Sequence, residues 1–269
     1  ADPALQQISE EFQDQNFGTQ LFQSGHIVPL GLTFVTESTV FRDYGPVAGR
    51  TASLGVSYAP KFNNSLSRTT VDGDVRYYKR LAANGVLAVR ARGMKSWGDY
   101  PAFLRFGGNS EMRGYDYLQF LGHKAFFGNV ELRIPLVEAM LTPLGVVGGL
   151  RGTVFFNIGG AGINGQEFTP WTTADELITP IVDYVPNLQT GLFDPVFGPT
   201  FLLSGFRLKD ARASYGFGLQ SFMLGFPMHF DWSWKTQFNR DYENLIYAVN
   251  GGSEAFRKVK FSFWIGYDF

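Results

Sequence analysis

The sequence contains no cysteine, few charged residues and no long uninterrupted apolar run. The lack of cysteine excludes disulfide bridges and thiolate metal sites. Charged residues make up 17% of the chain, against roughly 25% in an average soluble domain. The net charge of −1 gives no general attraction to polyanions, so nucleic acid is not an expected partner. A membrane-spanning helix needs about 18 or more consecutive apolar residues, and the best candidate, residues 136–150, is interrupted by Glu138, Pro143 and three glycines.

The most prominent feature that is present is the alternation of apolar with polar or small residues. In residues 258–269 every second side chain is apolar, namely Val259, Phe261, Phe263, Ile265, Tyr267 and Phe269. This period of two predicts a β-strand with one apolar face, and residues 228–238 show the same pattern. The apolar faces carry Trp and Phe rather than Val and Ile, and the strands have the length that a tilted membrane strand needs. A membrane barrel is favoured over the alternative, a soluble β-sandwich.

The alternation predicts about ten strands, at residues 19–24, 28–41, 50–58, 70–81, 86–94, 124–136, 150–158, 212–223, 228–238 and 258–269. The connections between them are short and long in turn, which is typical of short periplasmic turns and long outer loops. We therefore predict an all-β fold, a transmembrane antiparallel β-barrel of about ten to twelve strands, over residues 17–269. Residues 1–16 are expected to form a separate N-terminal segment, in which the helical spacing of Leu5, Ile8 and Phe12 predicts a short helix, either a frayed surface helix or a plug or interfacial helix. The long connection at residues 159–211 is expected to fold over the barrel as a lid.

Six segments in order resemble one known family. FGGNSEMRGY, residues 106–115, resembles the Gly-Gly and Arg-Gly-Tyr loop signature of the BamA and two-partner-secretion superfamily, outer-membrane barrels also called bacterial surface antigens. The other five are FRDYGPVAG, GNVELRIPL, VFFNIGGAG, RASYGFGLQ and the C-terminal stretch with Tyr267 and Phe269, which is similar to the family's assembly signal. The sequence resembles a short form that lacks the POTRA domains of the family.

The resemblance implies an integral protein of the bacterial outer membrane that contacts lipids and is itself inserted by the outer-membrane assembly machinery. It implies no enzymatic activity, cofactor or metal. The expected role is in outer-membrane protein or lipid biogenesis, or in transport. The alternative is a small channel or a structural barrel without translocase activity.

In this family the long loop folds into the lumen, and its arginine is held by polar groups on the inner wall. The resemblance assigns this loop motif to Arg113, Gly114 and Tyr115. Candidate partners on inward faces are Glu131, Arg133, Asn157 and Asp231. The family's aspartate is Asn157 here, so Arg113 is expected to turn to Glu131 or Asp231. The alternative is a solvated loop arginine.

Two further hypotheses concern histidine chemistry and the barrel seam. His229 and Asp231 share one strand face, but catalysis by such a pair needs a second acid and a site at the outer rim, so we expect no enzyme. The last predicted strand is longer than the first, which leaves backbone groups unpaired within one chain. A second copy, the N-terminal segment or local membrane thinning would remedy this. A partner strand satisfies the most groups, which favours a homodimer or a seam that opens toward lipid.

Overall fold

A computed structural model describes residues 25–42, 45–63, 65–142, 145–187, 189, 191–223, 226–267 and 269. The predicted first strand at residues 19–24 and the predicted helix within residues 1–16 lie outside these residues. No helix in the described part of the chain is long and apolar enough to cross a membrane.

The structure is built mainly from strands. Those in the described residues are β1 (Leu30–Glu37), β2 (Val40–Arg42), β3 (Gly45–Ala59), β4 (Arg68–Arg80), β5 (Val86–Gly98), β6 (Leu104–Phe106), β7 (Phe120–Gly122), β8 (Lys124–Thr142), β9 (Gly145–Gly162), β10 (Trp171–Thr172), β11 (Glu176–Ile178), β12 (Ile181–Pro186), β13 (Phe193–Phe197), β14 (Phe201–Leu203), β15 (Arg207–Leu208), β16 (Ala211–Met223), β17 (Phe226–Thr236) and β18 (Lys260–Ile265). The helices are α1 (Arg240–Ile246) and α2 (Gly252–Phe256), with short 3₁₀ turns at Ala82–Asn84 and Ala248–Asn250.

One antiparallel sheet contains all the long strands, in the order β1-β3-β4-β5-β8-β9-β16-β17-β18, with β2 paired to β3. Long strands that pair in the sheet are thus consecutive in the sequence, as the prediction of an all-β antiparallel fold requires. In the described residues β1 pairs with β3 and β18 with β17, and no pairing joins β1 to β18.

Several predicted strand boundaries were wrong. The strand predicted at residues 28–41 is divided into β1 and β2, because its pairing with β3 is interrupted at Ser38 and Thr39. The Ser38 amide still donates to the Arg50 carbonyl at 2.8 Å. Strand β8 continues past its predicted end to Thr142, and β9 begins before its predicted start, at Gly145. Both extensions arise because backbone pairing continues where the apolar alternation stops. The last strand ends at Ile265 rather than Phe269, and the Gly266 amide bonds to the Pro227 carbonyl instead.

The polarity of the sheet is the reverse of that of a soluble protein. Charged and amide side chains are among the largest fully buried groups of the described residues, including Arg133, Glu131 and Gln220. On β4 and β5, Asp74 accepts paired hydrogen bonds from Arg76 and Arg90, with the shortest N–O distance at 2.6 Å. The opposite face carries exposed apolar side chains such as Leu32 and Phe34, which are 84% and 69% exposed. One face of the sheet therefore suits a polar interior and the other an apolar surrounding.

Two of the long connections have their own structure. Residues 171–208 form an antiparallel ribbon in which β10 pairs with β15, β11 with β14 and β12 with β13. That this connection covers the barrel as a lid stays a prediction. The connection after β17 contains α1 and α2, organised around the buried carboxylate of Glu243. This group accepts bonds from the Gln237 amide, the Ser253 hydroxyl and the Arg257 guanidinium. Burial raises the pKa of Glu243, but the hydrogen bonds from Arg257, Gln237 and Ser253 outweigh it, so the net pKa is lowered.

Candidate functional site

The loop that carries the Arg-Gly-Tyr triplet connects β6 to β7 and packs its apolar side chains against the sheet. Phe106, Met112 and Tyr115 are buried in one cluster with Leu104, Ala125 and Phe127. Gly107 and Gly108 adopt φ angles of +138° and +73°, which favour glycine and allow the tight turn. The Glu111 carboxylate accepts a hydrogen bond from the Gly107 amide at 2.9 Å and closes this turn.

Arg113 lies at the centre of the site and joins two strands that are not neighbours. Its Nη1 donates to Glu131 Oε1 on β8 at 2.5 Å, and its Nε donates to Asp231 Oδ2 on β17 at 3.2 Å. The guanidinium also lies over the Phe155 ring on β9, 4.5 Å from its centroid. Arg113 is 2% exposed and Glu131 is fully buried. Charge-assisted bonds of this kind offset the cost of burying the guanidinium.

These contacts require a strongly curved sheet. Two strands, β9 and β16, separate β8 from β17, so in a flat sheet their backbones would stand about 14 Å apart at about 4.8 Å per step. One guanidinium reaches carboxylates on both strands because the inner faces of the sheet converge on the loop. The loop thus occupies the concave side of the sheet.

Gly114 and Tyr115 fix the loop against β16 and β17. Gly114 has a φ of +89°, and a Cβ there would lie 3.0 Å from the Ser233 hydroxyl, so the position has neither the conformation nor the room for a larger residue. The Tyr115 hydroxyl donates to the Ala213 carbonyl at 3.0 Å. Burial raises the pKa of this hydroxyl, which therefore remains a protonated donor. At the end of the loop, Lys260 bonds to Asp116 at 2.5 Å, which lowers the pKa of Asp116.

The structure brings three of the four predicted partners, Glu131, Arg133 and Asp231, into the network of Arg113 and places Asn157 in a second, adjoining network. Arg133 donates to Glu131 Oε2 at 2.8 Å, so Glu131 serves two guanidiniums. Asn157 accepts from the Asn129 amide at 2.8 Å and donates to the Ser214 hydroxyl at 3.1 Å. Asn129 in turn donates to the Glu111 carbonyl, which links this network to the loop.

Two glycines of β16 make room for the groups that hold Arg113. A Cβ at Gly218 would overlap Asp231 Oδ1, and a Cβ at Gly216 would lie 2.7 Å from the Phe155 ring. The segment RASYGFGLQ therefore leaves a gap on the inner face, into which the Asp231 carboxylate and the Phe155 ring lean. Sequence reasoning missed this role, although the spacing of two between the glycines was a visible signal that both lie on one face.

A comparison with protein families matches an Omp85 superfamily domain to residues 12–269. The chain belongs to the Omp85 superfamily. The match confirms the family expected from the loop and strand motifs. A comparison with curated proteins gave no significant match.

The C-terminal residues of this Omp85 chain depart from the predicted alternation. Tyr267 is 63% exposed, as expected for the apolar face, but Phe269 is only 6% exposed and packs with Tyr78, Val86 and Ala88. Because the strand ends at Ile265, the chain is free to turn Phe269 inward, where its ring faces the Arg133 guanidinium at 5.1 Å. The prediction that Phe269 lies on the outer face of a strand was wrong. The role of both residues as an assembly signal stays a prediction.

His229 and Asp231 share the inner face of β17, but each has other partners in the Omp85 domain. Asp231 also accepts a hydrogen bond from the Trp264 indole at 2.7 Å. The His229 ring stacks on Trp264, with centroids 3.6 Å apart, and its Nε2 lies 2.9 Å from the Gly266 carbonyl. Within the described residues no group of three His, Cys, Asp or Glu side chains could hold a metal. Because Trp264 contacts both Asp231 and His229, it is part of the site. Its position on a strand of the membrane type did not indicate this role.

We predict that Arg113→Ala destabilises the domain by about 3–5 kcal/mol, because it leaves Glu131 and Asp231 buried without a shared cation. The measurement is the temperature at which the β-sheet circular dichroism signal is lost in detergent micelles. Arg105→Ala is the matched control, since Arg105 is an exposed arginine of the same hairpin, and should change stability by about 0.5 kcal/mol or less. Equal unfolding temperatures for the two variants would show that Arg113 does not hold the loop.

We predict that Gly218→Ala destabilises the domain by about 1–3 kcal/mol, because the new methyl group displaces the Asp231 carboxylate. Gly73→Ala is the control, since a Cβ at Gly73 has its nearest neighbour at 3.6 Å. In the Arg113→Ala background the effect of Gly218→Ala should shrink, because the contact it disturbs is already absent. Strict additivity of the two changes in unfolding free energy would contradict this coupling.

Proposed function

We propose that this Omp85 chain is an integral β-barrel domain of the bacterial outer membrane that acts in outer-membrane biogenesis, without catalytic activity of its own. The observation that carries the proposal is the loop bound to the concave side of the sheet through Arg113, Glu131 and Asp231. A loop in this position obstructs the lumen of the proposed barrel. The domain would then act on a client through its wall and its edges rather than through an open aqueous path.

Membrane embedding is supported by the outward face of the sheet. Apolar side chains there are exposed along strand after strand, as at Leu32, Phe34, Leu54, Val56, Val75, Tyr77, Val130, Val154, Phe217, Phe261 and Phe263. In water such a surface would drive aggregation, whereas in hydrocarbon it is the favoured surface. Lipids are therefore proposed as the first partners of the domain, and the outer-membrane assembly machinery as the agent of its own insertion.

The proposed role is tested by two measurements on the domain reconstituted in lipid vesicles and planar bilayers. One follows the folding rate of an added unfolded barrel protein, and the other follows ion conductance. We expect the domain to accelerate client folding over protein-free vesicles and to give no steady conductance. Steady conductance without acceleration would contradict a role in biogenesis and would favour the alternative, a small channel.

We also propose that the edges of the sheet pair with a second copy of the chain. In the described residues the outer edge of β1 and that of β18 carry no strand. Unpaired backbone groups in hydrocarbon cost several kcal/mol each, so a native membrane protein must satisfy them. A homodimer joined at these edges does so with main-chain hydrogen bonds.

The dimer is tested with cysteines introduced at Thr33 on β1 and at Ser262 on β18, in membranes under mild oxidation. We expect a disulfide-linked species of twice the monomer mass, which returns to the monomer on reduction. A matched pair with cysteines at Thr33 and Ser233, which lies on β17 one strand in from the edge, should give no crosslink. Crosslinking that occurs only within one chain would mean that the barrel closes on itself and that the dimer proposal is wrong.

A further inference from the structure

A cavity of about 230 Å³ lies at the loop end of the sheet, between β16, β17 and the helical connection that follows β17. Its wall includes Tyr115, Arg212, Lys235, Tyr247 and Phe256. Two of these side chains are cations, and none of the described residues that line the cavity is Asp or Glu. The cavity is therefore positively charged, unlike the Arg113 network beside it, in which two carboxylates balance two guanidiniums.

Lys235 provides the first cation. Its ammonium lies 5.3 Å from the centroid of the Tyr115 ring and 5.9 Å from that of Phe256, so aromatic rings flank it on two sides. The side chain is partly buried, and among the described residues no oxygen lies within hydrogen-bond or ion-pair distance of its ammonium. The neighbouring carboxylate, Asp116, is bound to Lys260 at 2.5 Å. The described residues therefore supply no acceptor for the three N–H donors of the Lys235 ammonium.

Arg212 provides the second cation in a fixed orientation. Its Nη1 donates to the carbonyls of Lys209 and Ala211 at 2.7 and 2.9 Å, which holds the guanidinium at the cavity wall without neutralising it. The carboxylate of the covering helix, Glu243, is already bound by Arg257 at 2.5 Å. Two positive groups, one of them rigid, therefore face a cavity whose nearby carboxylates are engaged elsewhere.

The rest of the wall is aromatic. Tyr247 stacks on Phe256 with ring centroids 4.2 Å apart and an interplanar angle of 8°. Together with Tyr115 these rings form an aromatic surface of the cavity wall, which the two cations also line. A planar or apolar group of a ligand would pack on this surface while an acidic group bonds to the cations.

We propose that this cavity binds a small organic oxyanion, with its acidic group on Lys235 and Arg212 and its apolar part against Phe256 and Tyr115. The pairing of charge with aromatic surface distinguishes it from a site for inorganic ions, which gain nothing from the rings. The inference does not depend on the role in biogenesis, because it rests on residues of the loop end and on no property of a client.

The test uses isothermal titration calorimetry of the full chain in detergent micelles with phenyl phosphate, inorganic phosphate and benzyl alcohol as probes. We expect phenyl phosphate to bind more tightly than either of the other two, since it alone combines the oxyanion with the ring. Lys235→Met should weaken phenyl phosphate binding by about tenfold or more, the factor expected for one charge-assisted hydrogen bond. Lys235→Arg should retain most of the affinity.

Lys95→Met is the matched control, because Lys95 also lies beside an aromatic ring, 5.9 Å from that of Trp97, but on β5 away from the cavity. It should bind phenyl phosphate as the unaltered chain does. Phe256→Leu provides a second variant should Lys235→Met fail to fold, and it should reduce the preference for phenyl phosphate over inorganic phosphate. Equal affinity in the Lys235→Met and Lys95→Met variants, or no binding of phenyl phosphate to the unaltered chain, would overturn the proposal.

Discussion

The structure depends on one buried positive charge that two strands share. Arg113 bonds to Glu131 on β8 and to Asp231 on β17, and these strands are three steps apart in the sheet. Each carboxylate is buried, so neither could remain in place without a cation. All three groups can bond to one another only when the loop lies against the inner face and the two strands curve toward it, so the position of the loop and the curvature of the sheet go together.

Other features of the inner face follow from this constraint. Gly216 and Gly218 leave space on β16, which lies between the two carboxylate-bearing strands and would otherwise crowd the Phe155 ring and Asp231. Arg133 and Trp264 complete the hydrogen bonds of the same network, and Asn129 joins the adjoining Asn157 network to the loop. The inner face around Arg113 is therefore polar, next to the apolar cluster of the loop, while many side chains of the opposite face are apolar and exposed. This arrangement connects the local chemistry of one arginine to the proposed function, because a loop held on a polar inner face and an apolar outer face suit a membrane wall whose lumen is obstructed.

Much of this arrangement could be predicted from the sequence. The period of two in β17 and β18 predicted strands, and the same period placed Glu131, Arg133 and Asp231 on inward faces. The family resemblance, which the Omp85 match confirms, drew attention to Arg113. Periodicity failed where backbone pairing alone sets the end of an element, as in the continuation of β8 to Thr142 and the early end of β18 at Ile265. Periodicity also could not predict that Phe269 turns inward or that Trp264 bonds to Asp231, since both features depend on contacts between segments distant in the sequence.

The central claim is that one guanidinium bonds to carboxylates on β8 and β17 while the domain is in a membrane. Solid-state NMR in lipid bilayers tests it directly, through dipolar couplings between ¹⁵N-labelled guanidinium nitrogens of Arg113 and ¹³C-labelled side-chain carboxyl groups of Glu131 and Asp231. The N–O distances of 2.5 and 3.2 Å predict strong coupling to both carboxyl carbons. Coupling to neither carboxyl carbon, in a sample whose backbone signals show the intact sheet, would contradict the account.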